Sequence, residues 1–283
     1  MAGMALWNGR GPRRPWHTLG ALGMVVALAV AAIEWGAIPV RPAGTLLFVG
    51  TPDRRADALA MPGSSPAGTL LSVGTFDKRA FDNALARLHH RGPRPMPGAR
   101  VVLLPHHWAA GDLIVAALHG LGAATADSDD PPRDLESGSS GELAPAGFSI
   151  RRVWLLGLDH RRVGGRVGVT SSRGWSTPFG PVAVDIDGVE ALLDTGMAAD
   201  APEVVGSEHS VSGLVPAIRW FLPRAEIVPL AIRADARPAE VARFAAVVGH
   251  WAGDDGVVLV SVDLAHDVAR TDAPRNDALC FDL

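Results

Sequence analysis

The sequence predicts an α/β fold: a single domain with a largely parallel or mixed sheet covered by helices on both faces, preceded by an amino-terminal transmembrane or signal segment. Three observations carry that expectation. Short apolar runs of strand type alternate with longer runs of helical period, the pattern of a sheet buried under helices. The chain has 283 residues and is 48% hydrophobic, enough for a sizeable core. Near its start, three arginines precede a long uncharged stretch.

Taken in order, residues 1–41 read as the anchor or signal. Arg10, Arg13 and Arg14 precede an uncharged stretch from Thr18 to Ile33, and after Glu34 the chain stays apolar to Val40. An apolar core of ~15 residues suits a signal peptide, whereas counting through Val40 gives ~23, enough to span a bilayer. A single-pass membrane anchor is the expectation, with secretion after signal cleavage as the alternative, and the positive flank would place the body outside the cytoplasm.

Residues 42–98 hold a duplication and a linker. Gly44-Thr-Leu-Leu-Phe-Val-Gly-Thr-Pro-Asp recurs as Gly68-Thr-Leu-Leu-Ser-Val-Gly-Thr-Phe-Asp. Two copies are too few for a repeat protein, and each reads as a strand leading into a helix start. Phe81, Ala84, Leu85 and Leu88 then mark one face of a helix running to His90. The pair His89-His90 fits a solvated helix end, where the dipole favours histidine. Arg91-Gly-Pro-Arg-Pro-Met-Pro-Gly98 breaks the chain as a linker.

Residues 99–283 form the body. Strands are expected at Val101 to Leu104, Val153 to Leu156, Val182 to Val184, Glu226 to Ala231 and Val257 to Val262, with Val167 to Ser171 irregular or extended. Helices are expected at Asp112 to Leu121, Val189 to Thr195, Val211 to Phe221 and Pro238 to Trp251. The acid-, Ser- and Pro-rich stretch from Thr125 to Pro145 reads as a solvated loop and lacks the spacing of a calcium-binding loop.

The composition narrows the function. A net charge of -4 gives no basic footprint, so no nucleic-acid partner is expected. A single cysteine, Cys280, excludes an intrachain disulfide and a thiolate metal cluster.

Five polar clusters sit at the ends of the apolar runs: Pro105-His106-His107, Gly157-Leu-Asp-His160, Ser176-Thr-Pro-Phe-Gly180, Glu208-His-Ser210 and Ser261-Val-Asp-Leu-Ala-His266. Loops after the carboxyl ends of parallel strands converge on one crevice, so these clusters are expected to meet. A lone histidine at a strand end is by default a satisfied structural group. Read from the residues, Glu208 and Ser210 suit capping and packing with Ser210 as N-cap, Asp159 suits orienting a neighbouring histidine, and His107 points away from the crevice. Asp263 is as well suited to closing a loop as to chemistry.

In order and content the five clusters resemble the Memo family, including the bacterial proteins called AmmeMemoRadiSam system protein B. The resemblance runs over roughly residues 99 to 283 and implies relation in fold to the class III extradiol dioxygenases. It makes His106 and His160 metal ligands, with a third from His266, Asp263 or His209, and gives His209 and Asp263 catalytic roles. It implies a divalent metal at that site, iron(II) before copper or zinc. The expected activity is a redox or dioxygenase-like step on an unknown small molecule. A non-enzymatic binding or scaffold protein, with a peptide in the crevice, is the competing expectation. The family's name also suggests a radical-SAM partner. The family continues beyond the point matching Asp277 with further strands and helices, so a carboxy-terminally truncated member is expected.

Overall fold

The computed structural model describes residues 70–91, 95–96, 98–123 and 150–262, of which residues 89–91 by backbone alone. The anchor or signal at 1–41, the first repeat copy, the acidic loop, Asp263 and His266 lie outside the described residues. So do the side chains of His89 and His90. Among the described residues no helix is long and apolar enough to cross a membrane.

In chain order the elements are β1 (Leu71–Ser72), α1 (Lys78–Arg91), β2 (Val101–Leu104), a 3-10 turn (Trp108–Ala110), α2 (Gly111–Ala123), β3 (Arg152–Asp159), β4 (Gly168–Thr170), β5 (Trp175–Thr177) and β6 (Gly180–Val182). There follow α3 (Ile186–Asp194), β7 (Ala198–Asp200), α4 (Pro202–Ser207), α5 (His209–Ser212), α6 (Val215–Phe221), β8 (Glu226–Arg233), α7 (Pro238–Trp251) and β9 (Gly256–Ser261).

Six strands form the main sheet in the order β2-β9-β3-β8-β4-β7. The first four are mutually parallel, and β4 runs antiparallel to β8, so the sheet is mixed. Its centre reads as continuous apolar sequence because both faces are covered: Val153, Trp154, Leu155, Leu156, Val257 and Leu259 are fully buried. The parallel set matters most for the site. The carboxyl ends of β2, β3 and β9 share one edge of the sheet, with Leu104 in register with Ser261.

The second repeat copy does contain a strand and a helix. Leu71 and Ser72 pair with Trp175 and Ser176 of β5, forming a small sheet with β6. Phe81 of α1 is buried against the main core. Residues 70–91 are therefore built into the body of the protein.

The predicted helix from Val211 to Phe221 is divided into α5 and α6. Pro216 has no N–H to offer the carbonyl of Ser212, so the helix cannot run through and restarts with the proline in its first turn. The predicted strand at Val182 to Val184 falls earlier, at Gly180–Val182, where it pairs with β5 across a tight turn. β3 extends three residues beyond its apolar run, which keeps Gly157 inside the strand and opposite Ala231.

Candidate metal centre

Three elements deliver three imidazoles to the sheet edge. His106 follows β2 by one proline and is 2% exposed. His160 follows β3, and His209 opens α5. The ring centroids of His160 and His209 are 4.4 Å apart, and those of His106 lie 4.9 Å from His209 and 5.5 Å from His160. The strand-end histidines His106 and His160 therefore meet as expected, and His209 joins them from the start of α5.

Glu208 ties two of these rings together. Its side chain is 4% exposed, whereas those of His160 and His209 are 34% and 36% exposed. Its Oε1 lies 2.8 Å from His160 Nδ1 and 3.1 Å from His209 Nδ1, and also accepts the Ser210 N–H at 3.2 Å. Its Oε2 accepts the His160 backbone N–H at 3.0 Å. Burial pushes the Glu208 carboxyl up, but hydrogen bonds from His160 and His209, the Coulombic attraction of His160 and the Ser210 N–H outweigh it, holding the group well below the ordinary carboxylate range. An ionised carboxylate only accepts, so both imidazoles carry their proton on Nδ1 in the neutral state.

Capping alone, the role expected for Glu208 and Ser210, describes only part of this. Glu208, not Ser210, is the N-cap of α5, and the same carboxylate orients both histidines. Asp159, suggested for that orienting role, instead accepts the Arg162 and Gly164 N–H groups at 2.7 and 3.3 Å and shapes the turn after β3. Ser210 lies inside α5, where its Oγ accepts the Leu158 N–H and reaches the Leu158 carbonyl, both at 3.0 Å. That bridge fixes α5 against β3 and requires Gly157. A Cβ there would lie 2.5 Å from Ser210 Oγ and 2.9 Å from Val211 Cγ2.

His106 is held separately. Its Nδ1 lies 3.2 Å from the hydroxyl of Ser261, the residue in register with Leu104. His107, expected to point away, instead turns into the cluster: its ring centroid is 4.8 Å from that of His106 and 5.3 Å from that of His209. Two sets of ligand atoms each lie within 4.8 Å of one another, His106–His107–His209 and His160–Glu208–His209.

An aromatic cluster holds the segment directly after His107 and is supplied largely from outside the histidine motifs. Trp108, directly after His107, meets Phe76 and Phe81 edge to face at 5.2 and 5.8 Å and donates its indole N–H to the Gly213 carbonyl at 3.2 Å. Phe179, from the Thr177-Pro-Phe-Gly180 turn, packs on Phe81 at 5.3 Å. That turn is closed by Thr177 Oγ, which accepts the Phe179 N–H and donates to the Gly180 carbonyl, while Gly180 takes a φ of 104°. Thr75 joins the Ser212 hydroxyl at 2.8 Å, so the second repeat copy braces the helix that carries His209.

Glu208 and His107 are the two residues whose part in the cluster the sequence reading missed. An acid immediately before a histidine at a helix start was the available signal for the first. For the second it was the pairing of two histidines just past a strand, which does not reveal where the chain turns next.

Comparison with known proteins agrees with the sequence resemblance. The Memo-like protein family matches residues 142–279. A MEMO1 family protein of Methanothermobacter thermautotrophicus is 28% identical over 127 residues, 44% of this chain and 46% of the relative. A MEMO1 family protein of Thermotoga maritima is 28% identical over 129 residues, again 44% of this chain and 46% of the relative. The chain thus matches about half the length of these relatives. His106 and His107 lie before the residues that the family match covers.

Proposed function

Because the chain belongs to the Memo family through residues 142–279, we propose that it binds one divalent metal at the histidine cluster and acts on a small organic molecule by a redox or dioxygenase-like step. The observation that carries this reading is the way the rings are held. Each of the three imidazoles has Nδ1 against a fixed partner, Glu208 for His160 and His209 and Ser261 for His106. Metal-binding histidines are characteristically oriented in this way, with the second nitrogen turned to the ion.

In this reading His106 and His160 are ligands, with His209, His266 or Asp263 as a third. The donor set of imidazoles suits iron, copper and zinc alike, and iron is preferred on the family resemblance alone. A bound ion would supply Lewis acidity and, if iron or copper, redox chemistry. The chain's own residues do the rest. Glu208 fixes two tautomers, and half-exposed His209, where another group is the third ligand, is placed to move a proton to or from a bound molecule.

Metal uptake by the full-length chain, purified anaerobically in detergent and offered iron(II), copper(II) and zinc(II) in turn, tests the proposal. Near-stoichiometric binding is expected, weakened at least ~tenfold by His106→Ala and by His160→Ala with unchanged circular dichroism. A well-folded wild-type chain that takes up none of the three ions would overturn it and leave a binding or scaffold role for the crevice.

A further inference from the structure

We infer that His107 is a metal ligand of this chain, completing an all-imidazole face with His106 and His209; the inference rests on the reading that the cluster binds metal. Consecutive side chains in extended backbone project to opposite sides, so paired histidines past a strand would ordinarily diverge. Here they do not. His107, three residues past β2 and itself extended at φ -82° and ψ 127°, has its ring centroid 4.8 Å from that of His106 and 5.3 Å from that of His209, and its carbonyl accepts the Ala110 N–H at 2.9 Å to start the 3-10 turn.

The turn is fixed to the helix that carries His209. Trp108 donates to the Gly213 carbonyl, and Gly213 is the C-cap of α5. His107 and His209 therefore belong to two segments joined one residue beyond the first and at the end of the second. Their ligand atoms and those of His106 already lie within 4.8 Å of one another. Nitrogens around a tetrahedral ion with bonds of ~2.0–2.1 Å stand ~3.4 Å apart, so atoms that now lie within 4.8 Å of one another need to close by no more than about 1.4 Å.

The other candidate set cannot receive an ion at Glu208 so simply. Its carboxylate already accepts His160 Nδ1, the His160 N–H and the Ser210 N–H and sits beside His209 Nδ1. A metal there would have to displace the bonds that orient the rings. Among the described residues, the face that remains for an ion is thus made of neutral imidazoles without a carboxylate. Such a face leaves the ion its full double charge and suits zinc or copper as well as iron.

The test uses zinc and cobalt(II) as probes on the full-length chain in detergent. Zinc affinity is measured by chelator competition and cobalt coordination by visible absorption, for wild type, His107→Ala, His107→Asn and His250→Ala, an exposed histidine on α7. His107→Ala and His107→Asn are expected to weaken zinc at least ~tenfold and to alter the cobalt bands, while His250→Ala changes neither. If the alanine variant fails to fold, the asparagine variant decides. Wild-type affinity and cobalt spectrum in folded His107→Asn would overturn the role of His107 while leaving metal binding intact. No uptake of either ion by folded wild type would overturn both readings together.

Discussion

Replacing Gly157 with alanine asks whether the close contact between β3 and α5 holds the site together. The new Cβ would stand 2.5 Å from Ser210 Oγ, 2.9 Å from Val211 Cγ2 and 3.2 Å from Ser210 Cβ. Neither partner is the loose end of a surface chain: Ser210 and Val211 are both fully buried. Relieving the clash means moving α5 off the strand. Overpacking of this kind costs about 1–3 kcal/mol. Displacing Ser210 Oγ also leaves the buried Leu158 N–H unpaired, adding about 1–3 kcal/mol. The expected loss is therefore about 2–5 kcal/mol, a large share of the roughly 5–15 kcal/mol that holds a domain folded. Urea denaturation with an unchanged slope would measure it. Because α5 carries His209 and Glu208 bonds His160 across the same contact, zinc affinity should fall with it. Ser210→Ala removes the atom nearest the new methyl, so the double variant should lose less than the sum of the singles by about 1 kcal/mol or more. A Gly157→Ala chain within about 0.5 kcal/mol of wild type, or strictly additive singles, would refute the reasoning.

Two further predictions concern the supports of the cluster. Glu208→Gln in the metal-free chain should cost about 2–3 kcal/mol near neutral pH, the scale of a hydrogen bond to a buried charge. The folded-state pKa of Glu208 lies below its ordinary 4.5, so its stabilisation is present above that pH and is lost as pH falls through the folded value. The gap between variant and wild type should hence narrow below about pH 4.5 in urea titrations at stepped pH, and a gap constant down to strong acid would contradict the assignment. Phe81→Ala should cost about 3–5 kcal/mol in thermal or urea unfolding, as expected for an aromatic core deletion. Phe81 is 1% exposed and touches Phe76, Trp108, Phe179, Trp220 and Phe221, so a near-neutral result would show that residues 70–91 do not brace the site.

The sequence by itself determined the class of fold and which strand ends carry the candidate site. Apolar runs such as Val153 to Leu156 and Val257 to Val260 read as buried strands, because they have no solvent face, are too short for a helix and are rich in β-branched residues. Parallel strands then put their carboxyl ends on one edge, which is enough to bring His106 and His160 together on paper, while His209 joins them from the start of a helix. The tertiary structure decided which groups touch. Gly157 stands in sequence at the end of an apolar run, yet it lies within β3 and is required by a serine from a helix about fifty residues away, as the Leu158–Ser210 hydrogen bonds show. Glu208 reads as a cap, and only the approach of α5 to β3 places both histidines on its carboxylate. Residues 70–91 read as a segment outside the body, yet Leu71 and Phe81 enter its core. Sequence patterns report burial and period, which are local. A hydrogen bond between two buried side chains depends on how two elements pack, and that is set by all their neighbours at once.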